Sequence, residues 1–241
     1  MTSDSAIWVY LSASPLFGLT LTLVSYLLAV KLYQTGRGNP LLNPVALSIL
    51  LITSVLFASN LSYEAYFSGA QFIHFLLGPA TVALAIPLFD QFGKLKKVWL
   101  PLTAALVLGI TVSGFSAYFI ALQLGASEQT LLSLIPKSVT APIAMGISEK
   151  TGGLPTLTAV FVVITGILGA ILGSTLFKLL KIRDDSVKGV AMGVTAHGLG
   201  TARSFQLSPE MGAFAGLAMA LSASISPFLL PLVLSFVQRF Q

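Results

Sequence analysis

The stretch QTLLSLIPKSVTAPIAMGIS, residues 129–148, decides how this chain folds. It is apolar enough to enter a bilayer, yet Pro136 and Pro142 rule out one continuous helix, and Lys137 sets a cation between them. A cation at bilayer depth costs about 2.5–3.5 kcal/mol on insertion scales, so such a residue faces a cavity, a partner or a ligand.

On either side lie stretches that can cross a membrane unaided. Asp4 to Lys31 and Arg37 to Glu64 each bracket 26 uncharged residues, Lys97 to Glu128 brackets 30, Lys150 to Lys178 brackets 27, and Glu210 to Arg239 brackets 28. A crossing helix needs about 20 residues, so all five qualify. Three further apolar stretches are interrupted: 65–89 by the break Gly78-Pro79, 129–148 as above, and 189–209 by His197, Arg203 and four glycines.

The charges orient these segments. Lys31 and Arg37, then Lys94, Lys96 and Lys97, then Lys178, Lys181, Arg183 and Lys188 mark three cytoplasmic loops, whereas the loops at Glu64 and Glu128 carry no Lys or Arg. From an outside Glu128 the chain must reach an inside Lys178 through two apolar stretches, and two full crossings would return it outside. One must therefore turn back. The proline-broken 129–148 is that one, a re-entrant hairpin with 137–141 at its tip, and backbone at such depth has to line a cavity or be packed in protein. Residues 190–205 resemble a counterpart entering from inside and unwinding at His197-Gly198-Leu199-Gly200. The charges leave open whether this second segment returns or crosses, since a lone Arg239 orients the carboxyl terminus only weakly.

The expected fold is thus an all-α polytopic membrane protein with about 6–8 apolar segments, some broken or re-entrant. It forms one integral membrane domain over 1–241: four spans in 1–127, then in 128–241 two broken segments each followed by a span. Such a pattern allows an inverted repeat with a site where two broken segments meet near the midplane. Val139-Thr140-Ala141 recurs as Val194-Thr195-Ala196, and Pro155 and Pro209 open the two following spans. The first apolar run follows no basic residue, so a retained span is expected rather than a cleaved signal.

Several functions are set aside by composition. No polar stretch is long enough for an enzyme head, and there is no metal cluster, nucleophile triad or phosphate loop, so neither an enzyme nor a cofactor is expected. Zero cysteines remove thiolate chemistry, and a net charge of +5 gathered in short loops is topological rather than a nucleic-acid footprint.

The polar groups of the broken segments suit a small anion. Arg203 can fork two N–H groups onto a carboxylate, and Lys137 adds a second cation. Ser138, Thr140, Thr195 and Thr201 can donate hydroxyls to a substrate oxygen, Gly198 and Gly200 allow close backbone approach, and His197 can carry a proton or donate a hydrogen bond. Each has a plainer role open to it: Arg203 can neutralise Asp184 or Asp185 near the interface, Lys137 can snorkel, and His197 can satisfy a backbone carbonyl. Gly169 and Gly173, and Gly212 and Gly216, have the four-residue spacing of close helix packing.

At three blocks, Phe75 to Pro87, Pro136 to Ala144 and Thr195 to Arg203, the chain resembles the LrgB/CidB family of bacterial membrane proteins, also called the holin-antiholin or murein-hydrolase regulator family. The resemblance runs over nearly the whole chain; at Ala141 a small hydroxyl residue would equally be expected. It implies a multi-pass protein of the bacterial cell (inner) membrane, forming a homo-oligomer, a dimer, beside a small LrgA/CidA-type membrane protein. It also implies two functions. Members are named for effects on lysis and murein hydrolase activity, whereas the similar plastid glycolate/glycerate translocator and bacterial pairs linked to pyruvate uptake look like carriers. The residues carried over as substrate-binding are Thr81, Lys137, Ser138, Thr140, Thr195, His197, Gly198, Gly200, Thr201 and Arg203. Buried cations and broken helices favour a carrier of small monocarboxylates (pyruvate, glycolate, lactate or glycerate type), proton-coupled if His197 titrates and working by alternating access. The alternative is the holin-like regulator.

Overall fold

The fold is taken from a computed structural model that describes residues 15–37, 39, 42–76, 79, 82–83 and 85–238. The described residues are almost entirely helical, and four helices are long and apolar enough to cross a membrane: Leu16–Thr35, Phe92–Gln123, Pro155–Leu179 and Pro209–Ser235. Pro44–Ser59 is a shorter apolar helix. The expected break at Gly78 and the candidate residue Thr81 lie outside the described residues.

The chain divides into two compact units, Met1–Ala83 and Leu84–Gln241. In the first, α1 (Pro15–Thr35) packs against α2 (Pro44–Ser59) and α3 (Tyr63–Phe75). Asn43 starts α2 by accepting from the N–H groups of Val45 and Ala46 at 3.0 and 3.1 Å, and Asn60 ends it in the left-handed conformation at φ 53°. Thr22 on α1 and Tyr66 on α3 share a 2.7 Å hydroxyl–hydroxyl bond.

The second unit holds the broken segments. After the short α4 (Ala85–Asp90), α5 (Phe92–Gln123) runs 32 residues. The chain then forms α6 (Glu128–Leu134), a turn, and α7 (Ala141–Thr151), followed by α8 (Pro155–Leu179). Pro136 ends α6 because it lacks an N–H and its ring crowds the preceding turn, while Pro142, in the first turn of α7, starts the next helix where no N–H is needed. At 7 and 11 residues neither helix is long enough to cross a bilayer. They fold back on one another, with the side chain of Leu132 beside Gly152.

Three hydroxyls absent from the sequence argument fasten this hairpin to α8. Ser133, Ser148 and Thr158 are each fully buried. The Thr158 hydroxyl lies 3.0 Å from the Ser133 carbonyl and 2.8 Å from the Ser148 hydroxyl, and the Leu154 N–H donates to the Ser133 hydroxyl at 2.8 Å.

The last two elements are α9 (Asp185–Leu207) and α10 (Pro209–Gln238). A straight 23-residue helix would be about 34 Å long. Yet Lys94 Nζ sits 3.3 Å from Asp184, which caps the start of α9, and 2.6 Å from Glu210, just beyond its end. The helix therefore returns to where it began, and the fold is at His197, whose φ 40° and ψ −129° are not helical. Packing gives the same answer. The outgoing arm runs beside α10 in the same sense, Gly189 against Met211 and Gly193 against Ala215 and Ala218. The returning arm runs against it, Thr201 facing Met219 and Phe205 facing Gly212.

The break is narrower than the unwinding expected over 197–200, because only His197 leaves the helix. Gly200 serves the packing of the two arms: a Cβ there would lie 2.6 Å from the Met192 carbonyl oxygen. Gly169 and Gly173 do form a packing seam, their Cβ positions falling 2.5 Å from Ala196 Cβ and Met192 Sδ.

The end of the second unit that holds Lys94, Asp184 and Glu210 joins two of the basic loops, those of Lys94 and of Lys188, in keeping with the charges of that unit. Asp184 accepts from the Ser186 hydroxyl, from backbone N–H groups and from Lys94, and these hold its carboxyl down to about 2. It therefore stays ionised at the positive end of α9. Ser208 caps α10, accepting from Met211 N–H at 3.3 Å. A reporter placed in 149–153 is expected on the same side of the membrane as one at Glu128, and one at Asp184 on the same side as one at Glu210. Cysteine labelling of intact cells checks both pairs, and opposite sides for either would mean that its hairpin crosses.

Candidate functional site

The first hairpin tip and the outgoing arm of the second hairpin reach the middle of α5. Ile135 packs on Gly114 through its carbonyl and side chain, and the Lys137 ammonium donates to the Ser113 carbonyl at 3.0 Å and the Ser113 hydroxyl at 2.9 Å. Val194, three residues before the second break, lies 2.9 Å from the Cβ position of Gly109. Gly109 and Ser113 are four residues apart on one face of α5, just past its midpoint. The two hairpins thus touch α5 at points about one helical turn apart. Val139, Val162, Val194 and Ala218 belong to one buried apolar cluster with Leu106 and Ile110 of α5.

The first tip has a defined polar network. Ser113 and Ser138 share a 2.6 Å hydroxyl–hydroxyl bond, so one serine of α5 touches both candidate residues. Lys137 does not snorkel, since its ammonium is engaged at mid-helix. Thr140 occupies the N-cap of α7 without a side-chain cap bond.

The second tip is packed differently. His197 is 7% exposed and lies with Nε2 2.9 Å from the Val162 carbonyl, so it does satisfy a backbone carbonyl. A Cβ at Gly166 would lie 2.7 Å from its ring, which explains why α8 needs glycine there. The buried Thr201 hydroxyl donates to the His197 carbonyl at 2.9 Å and lies 3.8 Å from Met219 Sδ. Gly198 is exposed, and a Cβ there would meet nothing nearer than Met219 Sδ at 4.0 Å.

The candidates do not form one cluster. Thr195 is turned into an apolar groove of about 470 Å³ between α5 and the outgoing arm, lined by Val98, Leu102, Gly109 and Val190 among others, and its hydroxyl returns to the Ala191 carbonyl at 2.7 Å. Arg203 lies six residues past the break, about 9 Å along the returning arm, 6% exposed, with Nη1 donating to Gln206 at 3.0 Å. The ion pairs of Asp184 and Asp185 are with Lys94 and Lys188. Ser113 is the residue the sequence argument missed. Its only signal is a Ser-Gly pair inside an uncharged span.

Comparison with known proteins places this geometry in context. The chain matches the model described as LrgB-like family over residues 22–236. It is 38% identical to the uncharacterized protein YxaC of Bacillus subtilis (strain 168) over 213 residues, which is 88% of this chain and 92% of that protein. It is 34% identical over 215 residues to the holin-like protein CidB of Staphylococcus epidermidis, 89% and 93% of the two chains. It is 30% identical over 224 residues to the antiholin-like protein LrgB of Bacillus mycoides (strain KBAB4), 93% and 97%. No solved structure matches.

Proposed function

The chain belongs to the LrgB-like family of multi-pass membrane proteins, and from that premise we propose that it carries small monocarboxylates across the bacterial cell membrane by alternating access. The observation that carries this reading is that both hairpins pack on the middle of one long helix, with the lysine of the first tip hydrogen-bonded there. Deep cations and half-length helices are costly in lipid, and a path for an anion gives both a use. Lys137, Ser138 and Thr140 then meet the substrate from the first tip, and Thr195, His197, Gly198 and Thr201 border it from the second, with Gly200 holding the two arms of that tip together. Thr81 is proposed on the resemblance alone. Arg203, set back on the returning arm, receives the carboxylate on the cytoplasmic part of the route. The two hairpin-plus-span units suit an inverted repeat. A homodimer and a small LrgA/CidA-type partner belong to the same proposal.

A second reading has its own support. Two of these relatives are named holin-like and antiholin-like, and those names favour a regulator of lysis and murein hydrolase activity more than a carrier. The two readings meet if lysis follows from altered carboxylate flux. Arg203→Lys separates them, because lysine keeps the charge but not the planar fork. A carrier so altered inserts normally and loses about 10-fold or more of its uptake of labelled lactate or pyruvate, the effect of one charge-assisted hydrogen bond. Unchanged uptake by both Arg203→Lys and Arg203→Ala would remove Arg203 from the route.

A further inference from the structure

Lys137 is a basic side chain, yet its hydrogen-bond partners are the neutral carbonyl and hydroxyl of Ser113. All eight acidic residues of the chain lie at or between the ends of its apolar segments, and among the described residues no carboxylate comes within 4.0 Å of the Lys137 ammonium. Two oxygens of a single residue, at 2.9 and 3.0 Å, hold Nζ much as the two oxygens of a carboxylate would. The same Ser113 hydroxyl also binds Ser138 on the hairpin. An ion pair with Nζ is stronger than a bond to a neutral acceptor, so a carboxylate arriving here competes with Ser113 for Lys137.

We propose that Ser113 is a latch that occupies the carboxylate's place on Lys137, so that a small monocarboxylate, on binding, frees the first hairpin tip from α5. The proposal rests on the carrier reading and adds to it a residue and a motion. Ser113 is a positioning residue in this account: it competes with the substrate.

The absence of cysteine allows a direct test. A Ser113→Cys, Ser138→Cys double variant, purified and reconstituted, replaces two hydroxyls 2.6 Å apart by thiols that need only approach to about 2.05 Å to bond. Oxidation with copper phenanthroline is expected to close the disulfide within the monomer. Lactate at saturating concentration is expected to slow that closure several-fold, and lactamide, the uncharged analogue, to leave it unchanged. The companion variant Ser113→Ala is expected to lower the KM for lactate uptake by about 2- to 10-fold, the effect of removing one competing hydrogen bond. Failure of the thiols to bond, equal rates with lactate and lactamide, or an unchanged or raised KM in Ser113→Ala would each overturn the latch while leaving the carrier reading standing. Absence of uptake by the unmodified protein would overturn both.

Discussion

Lys137→Gln reduces monocarboxylate uptake by roughly 10- to 100-fold while the protein continues to insert and fold. Glutamine keeps donors that reach the Ser113 carbonyl but lacks the charge that attracts a carboxylate. The lost bond to an ion is worth about 1.5–3 kcal/mol. Insertion does not suffer, because removing a deep cation removes a cost of about 2.5–3.5 kcal/mol. This combination distinguishes a ligand-facing lysine from a structural one. A lysine that only braced the tip would lose folded yield on substitution and leave the uptake of the surviving protein intact. Uptake per folded molecule, normalised by size-exclusion chromatography, is the measurement.

The second large effect is on folding. Gly193→Leu is expected to abolish recovery of the monodisperse protein. The outgoing arm of α9 lies directly on the backbone of α10 at this point, and any Cβ at Gly193 would collide with the Ala215 carbonyl and with Ala218 Cβ at 2.9 Å. Ordinary overpacking costs about 1–3 kcal/mol because side chains can shift, but here the obstacle is backbone. Gly198→Ala is the control, as the space beside Gly198 is open, and its yield should match the parent. Equal recovery of Gly193→Leu and the parent would mean that the arm does not pack on α10 as described.

What could be read from sequence followed from features that act locally. Pro136 and Pro142 bound a turn whatever surrounds them, and the loop lysines sort the ends of the bundle, so the first hairpin and its tip were legible. The return of α9 was not. Its evidence is the pairing of Gly189 and Gly193 with Met211 and Ala215, and of Thr201 and Phe205 with Met219 and Gly212, which spans only 7–22 residues but depends on which faces meet. In sequence Gly200 reads as an opening for a ligand, but its small size serves the contact between the arms. Serines carried the least signal. Ser113, Ser133 and Ser148 look like ordinary small residues in apolar helices, and their roles arise from partners 24, 21 and 10 positions away. Arg203 was legible as a deep cation, but its distance from Lys137 depends on the fold-back at His197.

The measurement that tests the central claim most directly follows two solutes in the same proteoliposomes: labelled lactate outside and sucrose entrapped within. A carrier built around the two hairpin tips predicts saturable lactate uptake with the sucrose retained. Release of sucrose in parallel with lactate entry, without saturation, would contradict it and establish a holin-like pore.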